Sequence, residues 1–243
     1  MKKISYSQYS MWAQCPHRWK TAYIDGHREF SDNIHTLFGT SMHEVIQTFL
    51  TVMYNDTAKM AEALPLEDML LTRMKRNFES VLETNGGEMF CTEKDMVEFY
   101  QHGVEILKFI RKKRAQYFSK KGYELIGIEV PLNYDLPNNV KFVGYIDIVI
   151  RDTVRDVIKI YDIKTSTMGW NKWMKADKNK TDQLLLYKQF YSKQFNHPMD
   201  KIEVEYFIVK RKLYENLDFP QKRVQKFVPA NGKPSINKVV ARL

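Results

Sequence analysis

Two neighbouring apolar runs, Phe142 to Ile150 and Val157 to Lys164, constrain this chain most, because each carries an acidic residue where packing alone would place an apolar one. Side chains in extended backbone alternate faces, so residues two apart look the same way. Ile158, Ile160, Asp162 and Lys164 therefore share a face that is apolar first and charged at its end. In the upstream run, Phe142, Gly144, Ile146, Ile148 and Ile150 fall on one face and Val143, Tyr145, Asp147 and Val149 on the other, which leaves Asp147 as the lone charge among apolar neighbours. The polar stretch from Arg151 to Asp156 is a turn, so the two strands are expected to pair as a hairpin that brings both carboxylates together. Buried charges are costly unless paired or metal-bound. Two close carboxylates repel without a cation between them, and hard oxygen ligands favour Mg²⁺ or Mn²⁺.

Taken alone, Asp162-x-Lys164 reads as a surface ion pair at a strand end. It gains meaning from a helix expected over about Thr181 to Gln194, with Thr181 or Asp182 as N-cap. Gln183 and Tyr187 lie four apart and share a helical face. In the first turns Gln183 sits where free backbone N–H groups favour an anion such as a phosphate. The plainer reading of the pair is a core tyrosine beside a solvated glutamine.

The N-terminal half reads helical. Met42, Val45, Ile46, Phe49, Leu50 and Met53 form one apolar stripe with His43 at its edge, where a histidine is ordinarily a packing residue. Leu66, Leu70, Met74, Phe78, Val81 and Leu82 form another stripe. Thr92-x-x-Asp95 is a cap for a long helix carrying Met96, Phe99, Tyr100, Leu107 and Ile110. Strands are expected at about 123–134, 140–151 and 154–164, then at Ile202 to Lys212 and Arg223 to Pro229, and a helix begins near Ser235. Helices first and a mixed sheet afterwards imply an α/β core with a helical cover.

In this order the motifs resemble those of RecB-type nucleases of the PD-(D/E)XK superfamily, related to the AddB-type and CRISPR-adaptation nucleases. Ser5-Tyr-Ser7 followed by Cys15-Pro16 resembles the family's opening helix, and Gly39-Thr-Ser-Met-His43 its Gly-x-x-x-His motif. Glu129-Val-Pro-Leu resembles the strand before the hairpin. Gly144-Tyr-Ile-Asp147, Asp162-Ile-Lys164-Thr165-Ser166 and Gln183-x-x-x-Tyr187 complete the set, over roughly residues 4 to 195. The resemblance implies a restriction-endonuclease-like core with a central mixed β-sheet flanked by helices. It implies a single nuclease domain over residues 1–243, with a mainly helical part at 1–120 carrying the histidine and a sheet core at 121–230. The implied activity is metal-dependent hydrolysis of DNA, by an exonuclease or end-processing enzyme of recombination, repair or phage DNA metabolism. A structure-specific endonuclease and a catalytically silent nucleic-acid-binding module are the alternatives.

By the same resemblance His43, Asp147 and Asp162 hold the metal, with Glu129 as a further candidate, and Lys164, Gln183 and Tyr187 serve catalysis beside them. Lys164 stands among carboxylates, so charge favours its protonated form, and a general-base role would need burial to dominate. Some relatives carry a four-cysteine iron–sulfur cluster. Beyond Cys15 only Cys91 remains here, so no cluster is expected.

Charge agrees with a nucleic-acid partner: 38 basic against 29 acidic side chains leave a formal net charge of +9. Basic residues cluster at 111–114, 120–121, 172–180, 210–212 and 222–223. The third cluster, with Lys172, Lys175 and Lys178, also carries Trp170 and Trp173 in a polar segment expected to be a loop. Together with Thr165, Ser166, Gln183 and Tyr187 this segment is a candidate DNA contact. Its tryptophans are either a stacking platform for an unpaired base or a cover for the core edge. No apolar run is long enough to span a bilayer, Met1-Lys-Lys is not followed by a secretory core, and the two cysteines suit a reducing compartment. A cytoplasmic protein of a bacterial or phage-infected cell is expected. A helicase or recombination partner is left open.

Overall fold

The computed structural model describes residues 2–27, 32–215 and 218–243. Strand β1 (Lys2–Ser5) leads into helices α1 (Tyr6–Gln14) and α2 (Pro16–Tyr23), which meet at Cys15-Pro16. Helices α3 (Ile34–Asn55), α4 (Ala58–Glu62), α5 (Leu66–Thr84) and α6 (Glu93–Tyr117) follow. Strands β2 (Tyr123–Leu136), β3 (Val140–Asp152) and β4 (Val157–Ser166) come next, then α7 (Lys172–Ala176), α8 (Lys178–Gln194), β5 (Ile202–Lys210), β6 (Val224–Phe227) and α9 (Lys233–Val240). The long helices begin where local chemistry starts them. Thr92 and Asp95 form the expected reciprocal cap of α6, and Asn33 with Thr36 forms one for α3.

The sheet is mixed and lies between two helical layers. β2 pairs antiparallel with β3 along its whole length, so β1 and β4 share the opposite edge of β3. β1 takes residues 140–143 in parallel register, and β4 takes Ile148 to Asp152 antiparallel. β5 runs parallel to β4, and β6 antiparallel to β5. One face carries α3, α5 and α6 over Ile148, Ile150, Tyr161, Ile163, Phe207 and Val209. The other carries α8, α1 and α9 over Phe142, Ile146, Ile158, Ile160 and Tyr206.

The sequence-based register of β3 needs one correction. Ile146 packs with α8, whereas Ile148 packs with α3, so the alternation of faces breaks at Asp147. The same break occurs opposite, where Ile128 and Val130 pack into different layers around Glu129, whose φ is +49°. With a register shift between Leu125 and Gly127, Glu129 does not simply alternate with those residues. β1 was not expected. Four residues, Lys-Lys-Ile-Ser, are too few for a period-two signal.

Candidate active site

The site lies where the ladder between β3 and β4 ends. The last pair is Ile148 with Tyr161, and beyond it the strands part. There the Asp147 carboxylate accepts a hydrogen bond of 2.7 Å from the Ile163 backbone N–H, a donor that a continuing antiparallel ladder would have matched with a carbonyl. The twist at Asp147 and Glu129 turns the carboxylates away from the regular pleat.

Around Asp147 the side chains come from three directions. His43 Nδ1, from α3, is 3.6 Å from Asp147 Oδ2. One turn further along α3, Gln47 donates 2.5 Å to Glu129 Oε1 and 3.4 Å to the Asp147 carbonyl. Gln47 was missed by the sequence reading, although His43-x-x-x-Gln47 is the i, i+4 spacing that places both on one helical face. Gly39 permits this approach: a Cβ there would stand 3.2 Å from Thr165 Oγ1 on β4.

On the α8 side, Asp162 and Lys164 continue the face of Ile158 and Ile160. Lys164 Nζ is 2.8 Å from Asp162 Oδ2 and donates 3.0 Å to Gln183 Oε1. Gln183 in turn donates 3.0 Å to the Tyr187 hydroxyl. The Tyr187 ring lies against the backbone of Gly144, where an added Cβ would be 3.1 Å from Cε1. These four side chains form a connected polar relay from sheet to helix. Asp162 is 1 % exposed, and neither of its oxygens receives a well-directed hydrogen bond despite the close ammonium.

Electrostatics follow from this burial. Loss of water pushes Asp147 up to about 6 and Asp162 up to about 6, against the opposing pull of Lys164. Burial also works against the Lys164 ammonium, but Asp162 and Asp147 outweigh it and hold the group above its ordinary value. Burial lowers His43, more than Asp162 raises it, so the ring is neutral at neutral pH. Burial, with Asp162 adding, keeps the Tyr187 phenol protonated. Among the described residues Asp147 and Asp162 thus share one ammonium, with Glu129 a further carboxylate beside Asp147, and the cluster is short of positive charge.

That shortage bears on a metal. Among the described residues no three His, Cys, Asp or Glu side chains are gathered as a ready ligand set. Asp162 is turned to Lys164 and Asp147 to the Ile163 N–H, so the expected convergence with His43 is not closed. The chemistry nevertheless fits a hard divalent cation, with carboxylate oxygens, one neutral imidazole and a buried carboxylate whose lone pairs lack donors.

Beside the cluster opens a cleft of about 550 Å³, lined by Lys164, Thr165, Ser166 and Gln183 and, across from them, by α1. Ser166 Oγ exchanges 3.1 Å hydrogen bonds with Gly169 and so shapes the bend after β4. The segment expected as a loop is helical: α7 is capped by Asn171, and α8 starts at Lys178 under an Asp177 cap, not at Thr181 or Asp182. Gln183 therefore lies in the second turn, where it has no helix-terminal N–H groups to share with an anion. Thr181 and Asp182 are buried, and Asp182 Oδ2 accepts 2.6 Å from Arg242.

Trp170 is corrected as a stacking platform. It is 7 % exposed, with its ring 4.9 Å from that of Tyr206 and 6.0 Å from that of Phe227, and it covers the core edge. Trp173 is 73 % exposed and carries Lys172 Nζ 4.8 Å from its ring centroid. Lys175 lies 5.7 Å over Phe227, and Lys178 is exposed. In the 111–114 cluster, Arg111 donates to the Leu64 carbonyl and Arg114 pairs with Glu62, which makes these two residues clamps between helices.

Sequence and fold comparisons bear on the family and the fold. Residues 3–238 match the PD-(D/E)XK nuclease superfamily. No curated protein matches the sequence. Among solved structures, the fold resembles that of a candidate exonuclease from Eubacterium rectale, with a TM-score of 0.54 and 14 % identity over 99 % of this chain and 76 % of that one. With its sheet, its split ladder and a family match spanning nearly all its residues, the chain belongs to the PD-(D/E)XK nuclease superfamily.

Proposed function

We propose that this protein is a Mg²⁺- or Mn²⁺-dependent deoxyribonuclease of the RecB type, acting as an exonuclease or DNA-end-processing enzyme in recombination, repair or phage DNA metabolism. The observation that carries this reading is the pair of buried carboxylates, Asp147 and Asp162, set beside a charged Lys164 where β3 and β4 part. The description of the Eubacterium rectale neighbour as a candidate exonuclease supports the exonuclease form. In this reading residues 1–243 act as one nuclease unit in the cytoplasm of a bacterial or phage-infected cell.

Asp147, Asp162 and His43, with the Ile163 carbonyl, are the groups that would hold the cation, and Glu129 stands behind them under the grip of Gln47. A bound divalent ion supplies a water acidified toward neutrality and polarises the phosphoryl oxygen. Lys164, held protonated by the carboxylates, faces the negative charge that develops on phosphorus-bound oxygen and stabilises it. Gln183 fixes the ammonium through its 3.0 Å hydrogen bond and is itself fixed by Tyr187. His43, being neutral, does not compete with Lys164 for that role.

The test is to incubate the protein with end-labelled linear DNA and with closed-circular DNA, with Mg²⁺, with Mn²⁺ and with chelator. Metal-dependent release of short products from linear DNA alone is expected. Cut circles would make it an endonuclease. Binding without cleavage under every metal condition would make it a silent binding module.

A further inference from the structure

The cleft beside Lys164 has a far wall that the catalytic relay does not explain. That wall is α1, which presents Ser7, Ser10 and Gln14 along one face, with Arg18 of α2 at its end. Positions 7, 10 and 14 are spaced by three and four residues and so line up, and Gln14 Nε2 donates 3.3 Å to Ser10 Oγ. Tyr6 and Tyr9 of α1 are buried, Tyr6 also bordering the cleft. The Tyr6 hydroxyl donates 2.9 Å to the Asn179 carbonyl, which ties α1 to the start of α8. At the same end α1 continues directly from β1, which is held in the sheet by β3. The wall is therefore anchored at its N-terminal end relative to the carboxylates.

Among the described residues the cleft's charge has one sign: Arg18, Lys164 and Lys180 line it, and no aspartate or glutamate does. Between the cations lie hydroxyl and amide groups that hydrogen-bond phosphate and sugar oxygens without reading sequence. A volume of about 550 Å³ is that of a small-ligand pocket and matches a nucleotide or two of one strand.

We propose that this cleft is the seat of a single DNA strand, with Arg18 and Lys180 gripping phosphates that flank the bond presented to Lys164. The proposal rests on the nuclease reading for its direction of use, but the binding it describes requires no catalysis. Arg18 is exposed and Lys180 half-buried, so neither carries a core.

The experiment measures binding of a short single-stranded oligonucleotide in chelator across a salt series, for the wild type, for the double variant Arg18→Gln/Lys180→Gln, and for Lys112→Gln/Lys113→Gln. The last variant removes the same charge from exposed positions of α6 outside the cleft. Each phosphate contact on a single strand contributes roughly 0.7 to the log–log salt slope, so the cleft variant should flatten it by about 1.4, while the α6 variant keeps the wild-type slope. Weakening of single-strand binding on the order of tenfold is expected at low salt, with little change for a blunt duplex. Equal slopes for the cleft variant and the wild type would overturn the proposal, as would an equal loss from the α6 variant. A blunt duplex losing as much as the single strand would overturn it too. Failure of the nuclease reading looks different: strand binding that depends on Arg18 and Lys180 with no cleavage in any metal.

Discussion

At the scale of single residues, the site is a contest between burial and charge. Asp162 is nearly inaccessible and lacks a directed donor, so its ionised form costs the fold energy that the nearby Lys164 ammonium offsets only in part. Asp162→Asn should therefore lower metal-dependent turnover on the order of 10³-fold while leaving the Tm unchanged or raised, and Asp147→Asn should lower turnover comparably. Near-normal cleavage by either variant would remove the carboxylates from the mechanism. Lys164→Ala separates chemistry from affinity. If the ammonium acts on the transition state, turnover falls far more than DNA binding, whereas a parallel fall would make Lys164 an ordinary phosphate contact. Gly144→Ala tests the packing beneath the relay, since the new methyl would meet the Tyr187 ring at 3.1 Å. A loss of roughly 1–3 kcal/mol in unfolding free energy, with reduced turnover, is expected from that crowding. An unaltered Tm together with unaltered turnover would show that the ring is free to move away.

Between elements, the short connections set the geometry. Asp152 closes the turn from β3 to β4, accepting from the backbone N–H groups of Val154 and Arg155 and from the Arg155 side chain at 2.7 Å. The Arg155 backbone donor, with its guanidinium, holds the Asp152 carboxyl below the ordinary range. A depressed folded-state value means that the stabilisation is complete above the unfolded carboxylate's pKa of about 3.9 and is lost as pH falls through the folded one. Asp152→Asn should thus lower the Tm at pH 7, with the difference from wild type shrinking as acid titrates the native carboxylate. A difference that stays constant down to pH 2 would mean that the charge is irrelevant to the turn. In α7, Trp173→Ala should weaken single-strand binding, by ~1–3 kcal/mol if a base stacks on it, and leave the salt slope alone. Trp170→Ala should instead destabilise the fold, because its ring is packed between Tyr206 and Phe227. These two tryptophans show why sequence left the segment open. Both sit among lysines in a polar run, and only the position of β5 and β6 beneath them decides which one is covered.

Across the whole molecule, what the sequence made legible is what regular periods encode. Ile158, Ile160, Asp162 and Lys164 share a face as strand geometry requires, and Thr92 with Asp95 starts α6 where the capping pattern places it. The helical stripe around Val45 reached the core throughout, and the one around Leu70 did so through Leu66, Leu70 and Met74. What stayed hidden depends on partners distant in sequence. The reversal of faces at Asp147 is shared with Glu129 on the adjacent strand, the cap of α8 is Asp177 while Asp182 is held by Arg242, and β1 exists only through its pairing with β3. That last pairing also orders events in time. Lys2 meets Val140, so β1, and the helix that walls the cleft, reach their places only after a segment of well over a hundred residues has closed into a loop. Closures of that span are slow relative to helix formation and to the β3–β4 hairpin. Refolding from denaturant should accordingly show circular dichroism recovering before strand binding does, with β1 as the last piece of backbone to dock and catalytic competence arriving with it.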